Sequence, residues 1–174
     1  EEPLEIRLVF DQQGEVVDRS ISITMRTPGH DLELALGFLF TESIVQSYDQ
    51  IESVAPATSR PTCNVVRIQL KPDTLFDPEL LQRNFYTTSS CGVCAKSSLK
   101  ALWVSGVEPL VPDGLHVSPA VIRSLPLRLQ RDQSIFSSTG GLHAAARFDS
   151  EGNLLAIRED VGRHNAIDKI AGYM

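Results

Sequence analysis

The 174-residue chain has no stretch that approaches the roughly 18 uncharged apolar residues of a membrane-spanning helix. Its first residues, EEPLEIR, lack the basic start and apolar core of a secretory signal peptide. Internal repeats and low-complexity blocks are also absent from the sequence. We therefore expect no membrane span and no secretory route, and the predicted location is the cytoplasm.

Positive charge is scarce as well. The chain has 16 Lys and Arg against 22 Asp and Glu, a formal net charge of −6. Nonspecific binding to a nucleic-acid backbone or an anionic membrane needs net or clustered positive charge, so we expect neither partner. The hydrophobic fraction of 42% and the charged fraction of 22% are close to globular averages, which excludes wholesale disorder, collagen and coiled coil.

Cysteines are few and odd in number: Cys63 stands alone, and Cys91 and Cys94 form a C-x-x-C. Without a secretory signal, this pattern is typical of a reducing compartment, where thiols serve chemistry or bind metal. The pair precedes a predicted helix, and Lys96 and Lys100 lie close by in sequence. A helix start and nearby cations both favour the thiolate, so the pair is predicted to be reactive.

The cysteine pair has three other interpretations. A structural zinc site needs two more ligands, and the candidates are the lone Cys63 and His143 and His164, which a predicted hairpin separates; no metal site is expected. Thioredoxin-like redox chemistry would place the pair just after a strand, which the small polar residues before it do not favour. The remaining alternative is a tight turn of small buried side chains.

Periodicity predicts an α/β protein in two parts. Residues 1–85 form an α+β part with antiparallel strands, and residues 86–174 form a second α/β part. The helix that begins at Ser118-Pro119 is predicted to be interrupted or restarted at Pro126. The predicted elements are a hairpin of residues 4–10 and 21–25, strands at 51–54, 65–70, 142–148 and 154–158, and helices at 32–40, 77–82, 97–104, 119–135 and 162–173.

A glycine-containing turn near residue 140 is the first candidate binding segment. Paired glycines let backbone amides approach an anion, and Thr139 offers a hydroxyl donor to phosphate. The candidate residues are Thr139, Gly140, Gly141 and His143. A flexible turn into a strand is the plain alternative, and His143 could equally be a hydrogen-bonded imidazole in the core.

The second candidate segment runs from Arg158 to Lys169 and concentrates charge where a strand meets a helix start. Helix starts bind anions, and Arg163 and Lys169 can add charge-assisted contacts to phosphate. Asp160 could orient His164 or cap the helix. A solvated charged face is the alternative. The candidates are Asp160, Arg163, His164, Asn165 and Lys169.

Several motifs in order along the chain are similar to those of the FdhD family, the sulfurtransferase accessory proteins of formate dehydrogenase. The segment Met25–Asp31 contains one of them, although its residues alone favour a plain strand-to-helix turn with a helix cap. The motifs are EPLEIR (2–7), RTPG (26–29), LGFLFTE (36–42), SSCGVCAKSS (89–98), TGGLHAA (139–145) and EDVGRHNAIDK (159–169).

The resemblance implies a sulfur relay. A cysteine desulfurase leaves a persulfide on Cys91, with Cys94 as the accompanying thiol, and the sulfur passes to the molybdenum or tungsten bis-molybdopterin guanine dinucleotide cofactor of formate dehydrogenase. It also implies a cytidine-deaminase-like second part, with a mixed sheet flanked by helices, and makes a homodimer plausible. Family members continue past residue 174, so a C-terminal portion is expected to be missing, including part of the guanine-nucleotide site. Ala95 stands where the family usually has glycine.

Two other functions are the alternatives to a sulfur carrier. A zinc-dependent nucleotide deaminase requires His-x-Glu before Pro-Cys-x-x-Cys, but Cys91 follows Ser90 and no His-x-Glu occurs upstream. A non-catalytic chaperone that holds the cofactor would use a surface that overlaps with that of a sulfur carrier. The sequence therefore does not separate a carrier from a chaperone.

Overall fold

A computed structural model describes residues 1–58, 64–72, 74, 114–133 and 140–173. The helices predicted at 77–82 and 97–104, the boundary near residue 85 and all three cysteines lie outside these residues. In chain order the elements are β1 Glu2–Gln12, β2 Glu15–Arg26, α1 Asp31–Thr41, a 3-10 helix Tyr48–Gln50, β3 Ile51–Pro56, β4 Val65–Leu70, α2 Pro119–Asp132, β5 His143–Phe148, β6 Leu154–Asp160 and α3 Arg163–Ala171.

The β1–β2 hairpin forms where alternating apolar residues predict it. Its connection is Gln13-Gly14, and both residues have positive φ, 58° and 87°, as a two-residue turn that follows strand twist requires. The Asp11 carboxylate accepts a hydrogen bond from the Gly14 amide at 2.9 Å. The turn therefore sets the pairing next to it, and the register of the two strands shifts between Ile6 and Arg7.

The first sheet has the order β2-β1-β4-β3 and is mixed, because β1 and β4 are parallel. The prediction of antiparallel strands therefore holds for β1–β2 and β3–β4 but not for β1 and β4. Alternation along a strand carries no information on the direction of its neighbour. One face packs against α1 to form the core. The core residues are Leu4, Ile6, Leu8, Phe10, Ile21, Leu34, Ala35, Leu39, Ile44, Val45, Val66, Ile68 and Leu70.

The opposite face of this sheet carries a row of partly exposed ion pairs, the outer ladder of Glu5, Arg7, Asp18 and Arg67. Arg7 contacts Glu5 at 2.7 Å and Asp18 at 2.8 Å, and Arg67 reaches the second oxygen of Asp18 at 2.5 Å. This alternation of apolar and charged residues explains why one face is buried and the other faces water.

The last helix, α3, joins the two sheets. It packs against α1 on one side and against the antiparallel β5–β6 hairpin on the other. Its close approach to α1 depends on glycine, because a Cβ at Gly37 would overlap the Asp168 carbonyl and a Cβ at Gly172 would overlap the Glu33 carbonyl. The α/β class predicted from the sequence is therefore confirmed, with α3 in contact with the N-terminal sheet's helix.

Helix α2 begins at the predicted place, since the Ser118 hydroxyl accepts a hydrogen bond from the Val121 amide at 3.2 Å. The predicted interruption at Pro126 is wrong: the helix continues through Pro126 to Asp132. Proline removes one backbone donor, and an exposed helix can leave the freed carbonyl to water. Among the described helices, none has the length and apolarity needed to cross a membrane.

Candidate functional site

The two candidate segments meet at one end of the β5–β6 hairpin. His143, at the start of β5, pairs with Asp160, at the end of β6. The Gly140-Gly141 segment, directly before β5, therefore lies near the turn that follows β6. Gly140 has φ 69°, a conformation that favours glycine, and His143 is exposed, which excludes a buried core imidazole. Strand register thus brings together segments that are about twenty residues apart.

The start of α3 brings the backbone amides of its first turn beside this turn. Gly162 occupies the N-cap position without a side-chain hydrogen bond, and the first intrahelical bond runs from the Ala166 amide to the Gly162 carbonyl at 3.0 Å. The amides of the first turn carry partial positive charge. The side chains of Arg163 and His164 are both exposed there. This surface can receive an anion.

Lys169 lies differently, because its ammonium group is inside the protein with 1% of the residue exposed. Its Nζ is 2.7 Å from Asp160 Oδ2, and it donates to the Thr27 carbonyl at 2.9 Å and the Glu159 carbonyl at 3.3 Å. An ammonium has three hydrogens to donate. Three protein oxygens therefore surround a group that has three hydrogens to donate.

The Asp160 carboxylate is completely buried and accepts four contacts. Its Oδ1 accepts from the Gly162 amide at 2.9 Å and from Asn165 Nδ2 at 3.0 Å. Its Oδ2 accepts from the Thr27 amide at 3.1 Å and faces Lys169. Of the two predicted roles for Asp160, the contact with the Gly162 amide favours the role at the helix start over the orientation of His164.

Asn165 completes this set of buried bonds. Its Nδ2 donates to the Met25 carbonyl at 2.8 Å as well as to Asp160, and its Oδ1 accepts from the Thr24 hydroxyl at 3.2 Å. We name Thr27, Asp160, Asn165 and Lys169 the Asp160 network. The predicted binding residues therefore form two groups: Gly140, Gly141, His143, Arg163 and His164 on the surface, and Asp160, Asn165 and Lys169 in the network.

Thr27 is the residue of this region that sequence reasoning missed. Its amide donates to Asp160, its hydroxyl accepts from the Val161 amide at 3.1 Å, and its carbonyl accepts from Lys169. The available signal was its place in the motif RTPG. The helix cap expected in this segment is wrong, because His30 at the N-cap position of α1 makes no side-chain cap hydrogen bond.

The segment that carries Thr27 is anchored by Arg26, which is 2% exposed. Its guanidinium donates to both oxygens of Asp31, at 3.0 and 2.9 Å, and to Asn64 Oδ1 at 3.0 Å. This bidentate pair joins the end of β2 to the start of α1. The neighbouring Thr27, which contacts the end of β6, is therefore held in place by this ion pair.

A second ion pair holds β6 against α1. Arg158 donates to both oxygens of Glu33, at 2.5 and 2.8 Å, and its guanidinium lies 4.5 Å from the centre of the Tyr173 ring. Burial alone would raise the pKa of Glu33, but the hydrogen bonds and charges of Arg158 and His30 outweigh it and lower that pKa. The orientation of the hairpin is therefore fixed at two points along β6.

Three of the predicted site residues, Cys91, Cys94 and Thr139, lie outside the described part of the chain, and their roles stay predictions. Across the residues that the structure describes, no group of three His, Cys, Asp or Glu side chains is arranged to hold a metal ion. What the described site offers chemically is an exposed glycine turn and helix start above a buried, fully bonded polar network.

Comparison with known proteins assigns the chain to a family. A profile of the FdhD/NarQ family matches residues 3–174. Relatives named sulfur carrier protein FdhD are 44% identical in Streptomyces avermitilis, 46% in Mycolicibacterium paratuberculosis and 38% in Thermoplasma volcanium. Each alignment covers 99% of this chain but only 60%, 62% and 61% of the relative. The chain thus spans about three fifths of the length of these relatives.

A solved structure has the same fold. The crystal structure from Desulfotalea psychrophila, described as a formate dehydrogenase accessory protein, matches with a TM-score of 0.64 and 21% identity. The match covers 98% of this chain and 57% of that one. At this identity the likeness concerns the fold. The sequence motifs, the profile match and the curated relatives agree, and the chain belongs to the FdhD/NarQ family.

Proposed function

We propose that the chain is the sulfur-carrying portion of a sulfurtransferase that serves formate dehydrogenase. The observation that carries the proposal is the 44% identity, over 99% of the chain, with a curated relative named sulfur carrier protein FdhD. The chain contains the pair that such chemistry needs, Cys91 and Cys94. A cysteine desulfurase is the proposed donor, and a cytoplasmic location and a homodimer remain predictions.

The first step of the proposed sulfur transfer needs no external oxidant. The Cys91 thiolate attacks the outer sulfur of the donor's persulfide, a new S–S bond forms on Cys91, and the donor cysteine leaves as a thiolate. Release of this sulfur as sulfide needs two electrons. The Cys94 thiolate supplies them by attacking the inner sulfur, which leaves a Cys91–Cys94 disulfide for a thiol reductant to reopen.

The proposed acceptor is the molybdenum bis-molybdopterin guanine dinucleotide, bound as substrate, with tungsten as the alternative metal. Its pyrophosphate groups suit a surface of backbone amides and cationic side chains. Gly140, Gly141, Arg163 and His164 form the exposed part of this proposed site, with His143 beside them. Thr139, Asp160, Asn165 and Lys169 complete the predicted set.

The test is a sulfur-transfer assay on the full-length protein. Incubation with a cysteine desulfurase and cysteine should add the mass of one sulfur atom to the peptide that contains Cys91, as measured by mass spectrometry. Cys91→Ala should abolish the adduct, whereas Cys63→Ala is the matched control and should retain it. An adduct that persists in Cys91→Ala contradicts the assignment to that residue.

A maturation assay separates the carrier from the chaperone. Cells in which Cys91 and Cys94 are both replaced by alanine should lose formate dehydrogenase activity if the protein carries sulfur. Activity that persists in the double variant would instead favour a protein that holds the cofactor without transferring sulfur. The soluble level of the variant, measured by immunoblot, controls for loss of the protein itself.

A further inference from the structure

We propose that Thr27, Asp160 and Lys169 are positioning residues that hold the Val161-Gly162 turn, and with it the first amides of α3, in place for a pyrophosphate-containing ligand. The inference rests on the proposed function for the ligand and on the described contacts for the positioning. It assigns a role to Thr27, and it changes the role of Lys169 from a direct phosphate ligand to an internal support.

The side chains of the Asp160 network have little hydrogen-bonding capacity left for a ligand. The Lys169 Nζ lies within 3.3 Å of three protein oxygens, and each oxygen of Asp160 has two partners. Both Nδ2 hydrogens of Asn165 are also used. A phosphate could bind any of these side chains only after an internal bond broke, which costs about 1–3 kcal/mol for a buried group.

The bonds of the network hold the backbone of the Val161-Gly162 turn. The Val161 amide donates to the Thr27 hydroxyl, and the Gly162 amide donates to Asp160. These are the two residues between the end of β6 and the start of α3. Their orientation sets the direction in which the amides of Arg163 and His164 point. The network therefore influences the proposed binding surface by orienting the backbone, without contacting the ligand.

The network joins segments that lie far apart in the sequence. Thr27 is 133 residues from Asp160 and 142 from Lys169, and its amide, hydroxyl and carbonyl each bond to the β6–α3 region. A single residue with three such contacts fixes the turn against the connection between β2 and α1. Arg26 holds that connection through Asp31. These contacts therefore fix the position of the Val161-Gly162 turn relative to the N-terminal sheet.

The experiment uses guanosine diphosphate as the probe and full-length protein, with Kd measured by isothermal titration calorimetry. Thr27→Val removes the hydroxyl acceptor for the Val161 amide at nearly constant volume and should raise the Kd about five- to tenfold. Thr27→Ser keeps the hydroxyl, and its Kd should be close to that of the wild-type protein. Thr74→Val is the matched control, because the Thr74 hydroxyl donates to the Gln50 carbonyl at 3.1 Å, away from the network.

A second variant and a second readout keep the test decisive. Thr24→Val removes the donor to Asn165 and should raise the Kd about threefold; it replaces Thr27→Val if that variant does not fold. Hydrogen exchange of the Val161 and Gly162 amides should quicken in Thr27→Val and stay unchanged in Thr74→Val. An unchanged Kd together with unchanged exchange overturns the positioning role. Wild-type protein that does not bind guanosine diphosphate overturns the nucleotide part of the proposed function, while exchange still decides the positioning.

Discussion

The Asp160 network and the outer ladder contain the same kinds of charged groups in opposite environments. In the network, Asp160 and Lys169 are 0% and 1% exposed and every polar atom has a partner. In the ladder, the side chains of Arg7 and Asp18 are 30% and 31% exposed. The two pairs have nearly equal lengths, 2.7 and 2.8 Å. Distance alone therefore does not predict what each pair contributes.

The difference is one of solvation. A pair that water can reach gains little from association, because each ion is already well solvated and salt screens their attraction. A buried pair has lost its water, so removal of one partner leaves the other charge without compensation. Position in the fold, rather than the presence of charge, thus makes Lys169 a sensitive residue and Arg67 a tolerant one.

The largest effect is expected from Lys169→Met, which leaves the Asp160 carboxylate buried without its cation. The free energy of unfolding should fall by about 3–5 kcal/mol in urea denaturation. The double variant with Asp160→Asn is the control. It removes the uncompensated charge and should lose less than Lys169→Met alone. A loss below about 1 kcal/mol in the single variant would mean that the buried pair behaves like the ladder.

Much of the fold could be predicted because its signals are local. β1, α1, β3, β4, the β5–β6 hairpin and α3 lie within a few residues of their predicted places, whereas β2 begins six residues before its predicted start. Alternation, turn residues and helical spacing are all signals within short stretches of the sequence. The parallel β1–β4 pairing depends on contacts sixty residues apart, for which the sequence has no periodic signal.

For the candidate site, residue type could indicate the segments but not the arrangement of their side chains. The segments around Gly140 and Arg163 were identified by residue type, and strand register does bring them together. What residue type cannot show is that Lys169 faces inward, since a lysine on a short helix most often reaches water. Its partner Thr27 lies 142 residues away, and a bond of that span is set by tertiary packing.

Asp168 differs from Asp160, because it is a buried carboxylate whose hydrogen-bond partner is neutral. The Thr41 hydroxyl donates to Asp168 Oδ1 at 2.8 Å. Burial, with the charges of Glu42 and Asp160, raises the pKa of Asp168 to about 7, while the Thr41 hydrogen bond opposes this rise. The folded protein thus holds this proton more tightly than the unfolded chain, whose carboxyl has its ordinary pKa of 3.8.

The sign of the pH effect follows from that shift. The stabilising contribution of protonated Asp168 is fully present below the unfolded pKa and is lost as the pH rises through about 7. Asp168→Asn, which is neutral at every pH, should therefore stabilise the protein by about 1–2 kcal/mol at pH 8 and have little effect at pH 4. Urea denaturation at the two pH values checks this. Equal effects at both would contradict a titrating Asp168.

The smallest effect is expected in the ladder. Asp18→Asn removes the carboxylate that contacts both Arg7 and Arg67, yet the free energy of unfolding should fall by less than about 1 kcal/mol. The loss should shrink further in about 1 M salt, where the screening length falls to roughly 3 Å. The Lys169→Met variant, measured in the same salt series, should show little such dependence because its pair is buried. A loss in Asp18→Asn that equals that of Lys169→Met and resists salt would show that the ladder is held as tightly as the Asp160 network, and solvation would then not explain the difference between the two regions.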